Sequence, residues 1–298
     1  MTIIGVDWGS TSFRAYCYAE DGNVFQTIEH RSGILNVENG AFEHTLFSHL
    51  GAHVQAGDRL LFSGMITSRN GWIETPYAEV PVGTENYLLL ATRKEIRGVE
   101  LLFMPGISQK SPANVIRGEE LQIFGVCEPD EHALVVLPGT HSKWVEVENG
   151  RITNFQTVMT GEVFDLLMKQ SLIGMVADDA HHQEDAFRQG LEIGSDQRPG
   201  AGSTLAKIFS ARSKVLLHQH EPKDVSSYLS GILIGSEIGS GLACIADQML
   251  PMYIIGNKTL CRRYSEGFQF MGHTAFEVVD NAAEQGFARI SRQLRRQQ

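Results

Sequence analysis

The sequence predicts an α/β protein made of two similar lobes. The chain opens with a meander of strands whose first turn is rich in glycine, serine and threonine, and a second meander with the same plan begins near residue 134. With 298 residues, 42% of them hydrophobic, the chain is long enough for two well-filled cores. These observations favour a duplicated architecture with a cleft between the lobes.

The first meander consists of predicted strands over 2–7, 13–18 and 23–28. A helix is expected over 41–50, and apolar strands return at 59–63 and 101–104. The polar segment 127–131 contains a proline and predicts a domain boundary between residues 128 and 129.

The turn after the first strand fits a phosphate group. Gly9 lets the backbone approach an anion closely, and the neighbouring amides and hydroxyl groups can donate to its oxygens. Asp7 can hold a divalent cation, directly or through water. An ordinary hairpin turn is the alternative. The turn predicts binding of ATP, with the hydroxyls supplied by Ser10, Thr11 and Ser12.

A second turn of the same kind follows the apolar strand 134–137. Further strands are predicted over 143–147 and 152–157, joined by an Asn-Gly hairpin. The repeat predicts that two small-residue turns clamp one polyphosphate from both sides of the cleft. The second phosphate loop then contains Gly139, Thr140 and Ser142.

Beyond residue 161 the pattern is mainly helical. Glycine recurs every four residues at Gly231, Gly235 and Gly239, which favours close helix packing over contact with a flat base. A final helix over 275–294 is expected to pack on the second lobe. The other predicted elements are helices over 163–170, 184–192, 205–217 and 225–245 and a strand over 252–255.

Composition excludes several classes of function. A formal net charge of -10 disfavours a nucleic-acid groove, and no apolar run is long enough to span a bilayer. The N-terminus enters a strand without an export segment, so we expect a cytoplasmic protein. The cysteines and histidine pairs lack metal-site spacing and predict no zinc: Cys17, Cys127, Cys244, Cys261, His181, His182, His218 and His220.

A catalytic carboxylate is expected at the start of a short helix after Gly118. Glu119 is the first choice and Glu120 the alternate. Acidic residues in a first helical turn also complement the helix dipole, so a purely structural role is the alternative.

The loop after strand 59–63 is a predicted ligand contact. Arg69 can pair with a carboxylate through two parallel N–H bonds, although an exposed loop arginine is the alternative. Trp72 fits either a stacking wall for a sugar or a core position, with the core favoured.

The order of these segments resembles the 2-dehydro-3-deoxygalactonokinase family, within the superfamily of sugar kinases, Hsp70 and actin. The resemblance runs from residue 1 to about residue 270, and the segments 117–120 and 138–144 are the most specific. It rests on the stretches 7–14, 64–72, 117–120, 137–144 and 159–162.

The resemblance implies two ribonuclease-H-like (actin-like ATPase) domains with ATP and Mg²⁺ between them. Residues 1–128 would form the lobe that binds the sugar acid and carries the first phosphate loop, and residues 129–298 the nucleotide-binding lobe with the second. Gly256 would approach the adenosine, and Glu119 would stand where many sugar kinases have an aspartate. Four residues before Gly118, the chain has Asn114 where the family is expected to have an aspartate. The residues expected to bind the substrate would be Ser68, Arg69, Trp72 and Arg117.

The implied reaction is ATP-dependent phosphorylation of 2-dehydro-3-deoxy-D-galactonate to its 6-phosphate, in galactonate and galactose catabolism. Alternatives are a kinase for another sugar acid or sugar, and a nucleotide switch like actin or Hsp70. The expected partners are the sugar acid and ATP, with no nucleic acid and no membrane. A homodimer is compatible with the sequence.

Overall fold

A computed structural model describes residues 1–178, 181–245 and 250–296. The chain forms two compact units. The first comprises Met1–Ala133, Val145–Phe155 and Val279–Gln298, and the second comprises Leu134–Trp144 and Gln156–Val278.

The first unit is built on a six-stranded sheet in the order β3-β2-β1-β4-β7-β6. Strands β1, β2 and β3 are antiparallel, whereas β1, β4 and β7 are parallel. A small sheet has the order β5-β8-β9. The strands are β1 (Ile3–Trp8), β2 (Phe13–Tyr18), β3 (Val24–His30), β4 (Arg59–Ser63), β5 (Tyr77–Glu79), β6 (Thr92–Ile96), β7 (Val99–Phe103), β8 (Gly106–Lys110) and β9 (Ala113–Ile116). The helices of this unit are α1 (Phe42–Leu50), α2 (Thr84–Leu89), α3 (Glu119–Val126) and α9 (Ala282–Arg296).

Both faces of the large sheet are covered, so β1 is almost wholly apolar rather than alternating. On one face, Trp8 packs edge-on against Phe13 and Phe42 in the core formed with α1. On the other face, α9 lies so close to β1 that a Cβ on Gly5 would meet the ring of Phe287 at 2.4 Å. This packing holds the end of β1, and therefore Asp7, in a fixed position.

The prediction that the last helix packs on the second lobe is wrong. The helix begins at Ala282, after a short strand, and packs on α3 in the first unit. Glycines make this contact close: a Cβ on Gly286 would lie 1.9 Å from the Leu121 carbonyl oxygen, and one on Gly125 would lie 2.2 Å from that of Ala282.

A second sheet has the order β12-β11-β10-β13-β14, in which β10 and β13 are parallel. Its strands are β10 (Ala133–Leu137), β11 (Ser142–Glu148), β12 (Arg151–Val158), β13 (Met252–Ile255) and β14 (Glu277–Val279). The helices of the second unit are α4 (Thr160–Gln170), α5 (Glu184–Ser195), α6 (Thr204–Leu216), α7 (Val225–Cys244) and α8 (Lys258–Phe270).

The glycine repeat of α7 serves close helix packing, as predicted. A Cβ on Gly231 would lie 2.2 Å from the Phe187 carbonyl oxygen of α5, and a Cβ on Gly190 would lie 2.2 Å from that of Tyr228. The backbones of α5 and α7 therefore touch.

The predicted fold class is confirmed in its architecture: the chain is an α/β protein that forms two compact units. Within the described residues, no helix has both the length and the apolar character needed to cross a membrane. The division into functional lobes at residues 1–128 and 129–298 stays a prediction.

Candidate active site

The predicted first phosphate loop, which contains Gly9, Ser10, Thr11 and Ser12, joins β1 to β2 and is supported by the segment that follows β3. Within the loop, the Gly9 amide donates to the Ser12 carbonyl at 2.9 Å. The Ile34 amide donates to the Gly9 carbonyl at 3.0 Å. Gly33 touches the loop backbone, because a Cβ there would lie 2.2 Å from the Ser10 carbonyl carbon. Sequence reasoning missed Gly33, since nothing local distinguishes it from any loop glycine.

Three backbone amides of this loop are available as hydrogen-bond donors to a ligand. The amides of Ser10, Thr11 and Ser12 donate to no acceptor among the residues that the structure describes. The side chains of Thr11 and Ser12 are exposed. Successive amides of this kind can form a concave site for an anion.

Asp7 lies near the end of β1, beside the glycine that follows β4. A Cβ on Gly64 would lie 3.2 Å from Asp7 Oδ1 and 2.9 Å from the Trp8 carbonyl oxygen. Burial raises the pKa of Asp7 to about 6; Arg14 opposes the shift and Glu119 adds to it. Asp7 and Glu119 are therefore close enough for their charges to interact.

Helix α3 begins immediately after Gly118, whose φ of 104° favours glycine. A Cβ on Gly118 would lie 3.2 Å from the Cα of Gly64. Because Gly64 also borders Asp7, the two glycines place the start of α3 near the end of β1. The structure thus brings the predicted metal ligand and the predicted catalytic carboxylate into one region of the first unit.

The two glutamates of α3 have different surroundings. Glu119 is partly accessible, and its Oε2 accepts a hydrogen bond from the Arg117 amide at 2.9 Å. Glu120 is 1% exposed; its oxygens accept from Tyr87 Oη at 2.9 Å and from the Gly118 amide at 2.7 Å. Burial, followed by the charge of Glu119, raises the pKa of Glu120 to about 7.

Arg117 lies beneath the loop that carries the predicted substrate residues. Its Nη1 donates to the Thr67 carbonyl at 2.6 Å and to the hydroxyls of Thr67 and Thr75 at 2.7 Å. Its guanidinium also lies over the Tyr77 ring, 4.5 Å from the ring centre. Arg117 therefore fixes this loop.

The remaining predicted substrate residues differ in exposure. Arg69 is exposed and forms no hydrogen bond or ion pair within the described part of the chain. Ser68 is partly accessible, and its Oγ donates to the Met65 carbonyl at 2.7 Å. Trp72 packs against the core, with its ring centre 5.5 Å from that of Phe103, as its favoured interpretation predicted.

The predicted second phosphate loop joins β10 to β11 in the second unit. Thr140 and His141 are exposed, and the amides of Gly139, Thr140 and His141 reach no acceptor within the residues described. By contrast, Ser142 is fully buried, and its Oγ lies 2.9 Å from Tyr264 Oη.

Helix α4 holds this loop in place. The Glu162 amide donates to the Thr140 carbonyl at 2.9 Å, and Glu162 Oε2 lies 2.5 Å from His141 Nε2. A Cβ on Gly161 would lie 2.4 Å from the Gly139 carbonyl oxygen.

A small pocket adjoins the second phosphate loop. Gly139 lies at its edge, and α4, α7 and α8 form its walls, with Phe164, Leu233, Arg263 and Tyr264 among the lining residues. Gly256, after β13, lies near the loop, because a Cβ there would be 3.1 Å from the Pro138 carbonyl oxygen.

Helix α8 was missed by sequence reasoning, although its signals were present. The Asn257 side chain caps the helix by accepting from the Leu260 amide at 2.9 Å. Its buried residues recur at helical spacing: Cys261, Tyr264, Gly267 and Phe268.

The residues present fit magnesium bound mainly through phosphate oxygens. No cluster of three or more metal-ligating side chains occurs in the described parts of the chain. Mg²⁺ in phosphoryl-transfer sites commonly uses one or two carboxylates together with substrate phosphates and water. Asp7 provides such a carboxylate beside the first loop.

Comparison with known proteins assigns the chain to a family. The sequence model of the 2-keto-3-deoxy-galactonokinase family matches residues 7–290. The Escherichia coli (strain K12) protein named 2-dehydro-3-deoxygalactonokinase is 32% identical over 284 residues, which cover 95% of this chain and 94% of that protein.

Comparison with solved structures is consistent with this family assignment. A Sinorhizobium meliloti protein described as a candidate 2-dehydro-3-deoxygalactonokinase has a TM-score of 0.90 and 29% identity, covering 98% of this chain and 99% of that one. Component A of the Acidaminococcus fermentans (R)-2-hydroxyglutaryl-CoA dehydratase is similar in fold alone, with a TM-score of 0.51 and 14% identity over 97% and 95% of the two chains. The chain is thus a member of the 2-keto-3-deoxy-galactonokinase family.

Proposed function

We propose that this protein transfers the γ-phosphoryl group of ATP to the terminal hydroxyl of 2-dehydro-3-deoxy-D-galactonate, giving the 6-phosphate and ADP. The family supports this reaction, since its two names describe the same keto-deoxy acid. The observation that carries the proposal is the placement of Asp7, the first phosphate loop and Glu119 in one region of the first unit.

Glu119 is the residue we assign to the acceptor hydroxyl. Its side chain is partly accessible, whereas Glu120 is buried between Tyr87 and the Gly118 amide. As the oxygen of the hydroxyl bonds to the γ-phosphorus, the bond to the β,γ-bridging oxygen breaks and ADP leaves. Glu119 orients the hydroxyl and takes its proton, and Glu120 supports the start of α3 by accepting from the Gly118 amide.

Each loop, within its own unit, offers amides and hydroxyls to phosphate oxygens. In the first loop these are the amides of Ser10, Thr11 and Ser12 and the hydroxyls of Thr11 and Ser12. In the second loop they are the amides of Gly139 and Thr140 and the hydroxyl of Thr140. Asp7 would hold Mg²⁺, which when bound neutralises charge on the phosphate oxygens. Alignment and charge stabilisation supply most of the catalysis, because phosphoryl transfer passes through a loose transition state.

The carboxylate of the sugar acid is assigned to Arg69. This side chain is exposed, and its donors are not used elsewhere in the described chain. Its loop is held by Arg117 through Thr67 and Thr75, so the positions of Ser68 and Arg69 depend on that arginine. In this proposal Arg117 contributes by positioning the loop, and Trp72 supports it from the core.

The adenosine is assigned to the pocket between α4, α7 and α8. The pocket adjoins Gly139, so a nucleoside there would lead directly to the second phosphate loop. Phe164 and Leu233 supply apolar surface for the base, and Gly256 borders the route to the loop. The cytoplasmic location and the homodimer stay predictions.

The test is an ADP-release assay over a panel of keto-deoxy sugar acids and hexoses. We expect ADP formation to depend on the added acceptor and to be fastest with 2-dehydro-3-deoxy-D-galactonate. Slow ATP hydrolysis that ignores the acceptor would favour a nucleotide switch. Acceptance of hexoses alone would overturn the substrate assignment.

A further inference from the structure

A buried polar network lies behind the second phosphate loop. At its centre is Glu237 of α7, which is 4% exposed. Its Oε1 accepts from Trp144 Nε1 at 2.8 Å, and its Oε2 accepts from Tyr264 Oη at 2.6 Å. The Thr160 hydroxyl also donates to Oε2. Tyr264 Oη lies in turn 2.9 Å from Ser142 Oγ.

The hydroxyl protons in this network can be assigned by elimination. Tyr264 Oη donates its single proton to Glu237 Oε2. Tyr264 can then only accept from Ser142, so the Ser142 proton is directed to Tyr264. The Ser142 hydroxyl therefore points into the protein and is unavailable as a donor to phosphate.

The network reaches both structural supports of the loop. Ser142 is the residue at which the loop enters β11, and Thr160 is the first residue of α4. The next residue of α4, Gly161, lies against the carbonyl of Gly139. One carboxylate thus connects the end of the loop to the helix packed beneath it.

We propose that Glu237 and Tyr264 are positioning residues for the triphosphate: they fix Ser142 and Thr160 so that the loop presents its amides, and not the Ser142 hydroxyl, to the ligand. This inference rests on the proposed function, because it presumes that the loop binds phosphate. It also revises the part that Ser142 plays, from a direct contact to an anchor.

The electrostatics of Glu237 agree with a fixed network. Burial raises the pKa of Glu237, and the donors from Thr160, Tyr264 and Trp144 act in the opposite direction. A buried carboxylate is costly unless its oxygens are hydrogen-bonded, so the donors must hold their positions.

The test compares nucleotide binding by the wild type and by Tyr264→Phe, Ser142→Ala and the double variant. Each full-length chain is titrated with a non-hydrolysable ATP analogue and, separately, with adenosine. Tyr264→Phe retains the ring that lines the pocket and removes only the hydroxyl. Thermal unfolding of each variant reports whether the fold is retained.

The matched control is Tyr228→Phe. Tyr228 is also a fully buried tyrosine of the second unit, and its Oη lies 2.9 Å from Ser210 Oγ, the same distance as in the Tyr264 pair. Loss of this hydroxyl should lower the unfolding temperature to a comparable extent without changing the affinity for the ATP analogue.

We expect Tyr264→Phe and Ser142→Ala each to weaken binding of the ATP analogue roughly tenfold, the equivalent of one hydrogen bond. Ser142 does not line the pocket, so Ser142→Ala should leave adenosine binding unchanged. Because both substitutions break one chain of hydrogen bonds, the double variant should bind no more weakly than either single variant.

Additive losses of affinity in the double variant would contradict the inference, since Ser142 would then contact the phosphate directly. Unchanged binding by a folded Tyr264→Phe variant would also overturn it. A wild type that binds no nucleotide would instead refute the proposed function.

Discussion

Glu119 and Glu120 are neighbours with the same chemistry, and their different surroundings support different proposed roles. Glu119 remains partly accessible next to Asp7, whereas Glu120 is enclosed by Tyr87 and the Gly118 amide. The sequence could predict a carboxylate at this helix start. It could not choose between the two, because the choice depends on Tyr87, which lies 33 residues from Glu120 along the chain.

Replacing Glu119 by alanine should lower kcat by about 10²- to 10⁴-fold, because the acceptor hydroxyl loses its proton acceptor. The affinity for an ATP analogue should be unchanged. Steady-state kinetics and analogue titration measure the two effects, with the exposed Glu20→Ala as control. A variant with normal kcat would remove Glu119 from the mechanism and direct attention to Glu120.

Glu120 should make stability depend on pH. Its pKa is about 7 in the folded protein against 4.5 ordinarily, so the folded state binds the proton more tightly. Stability should therefore fall as pH rises from about 4.5 to about 7. Between pH 5 and pH 8 this contribution to the free energy of unfolding is roughly 2 kcal/mol. Glu120→Gln should abolish it, because the glutamine side chain does not titrate, and Tyr87 can rotate its hydroxyl to accept a hydrogen bond from the new amide. The free energy of unfolding in urea at the two pH values tests this, and an equal change with pH in wild type and variant would contradict it.

Arg69→Ala should raise the KM for the sugar acid by roughly 10- to 100-fold, the range expected for hydrogen bonds between charged groups. The KM for ATP should not change. Arg188→Ala, at an exposed position on α5, provides a control in the same assay. If only ATP binding were weakened, the assignment of the carboxylate would be wrong.

At the scale of elements, α9 supports the helix that carries the two glutamates. Gly286→Ala should destabilise the protein by roughly 1–3 kcal/mol, because the added methyl group meets the Leu121 carbonyl oxygen at 1.9 Å. On a free helix the same change would be stabilising. The exposed Gln285→Ala on the same helix is the control, and the free energy of unfolding is the measurement. A variant as stable as the wild type would show that α3 and α9 can separate without cost.

Sequence patterns were sufficient for elements with strong local signals. The strands of both meanders and α7 were predicted close to their observed bounds, because their apolar runs end at clear turn residues. The prediction for α9 failed, since an amphipathic stripe specifies that a helix packs but not on which unit. The glycines at its contact, Gly125 and Gly286, are far apart in sequence, and neither indicates its partner.

Across the two units, the chain repeats one strand-loop-strand arrangement. Each unit has a strand, a loop of small residues with unoccupied amides among the residues described, and a second strand. This repeat was visible in the sequence because glycine and hydroxyl residues mark such loops locally. The buried anchor of the second loop was not visible, since Ser142 and Tyr264 are 122 residues apart.

In the proposed reaction, a phosphoryl group moves from ATP to the terminal hydroxyl of the keto-deoxy acid. The ³¹P NMR spectrum of the product made from ATP and 2-dehydro-3-deoxy-D-galactonate tests this transfer. We predict a phosphomonoester whose phosphorus couples to the two protons on C6, formed in equal amount with ADP. A spectrum containing only ADP and inorganic phosphate would contradict the proposed reaction.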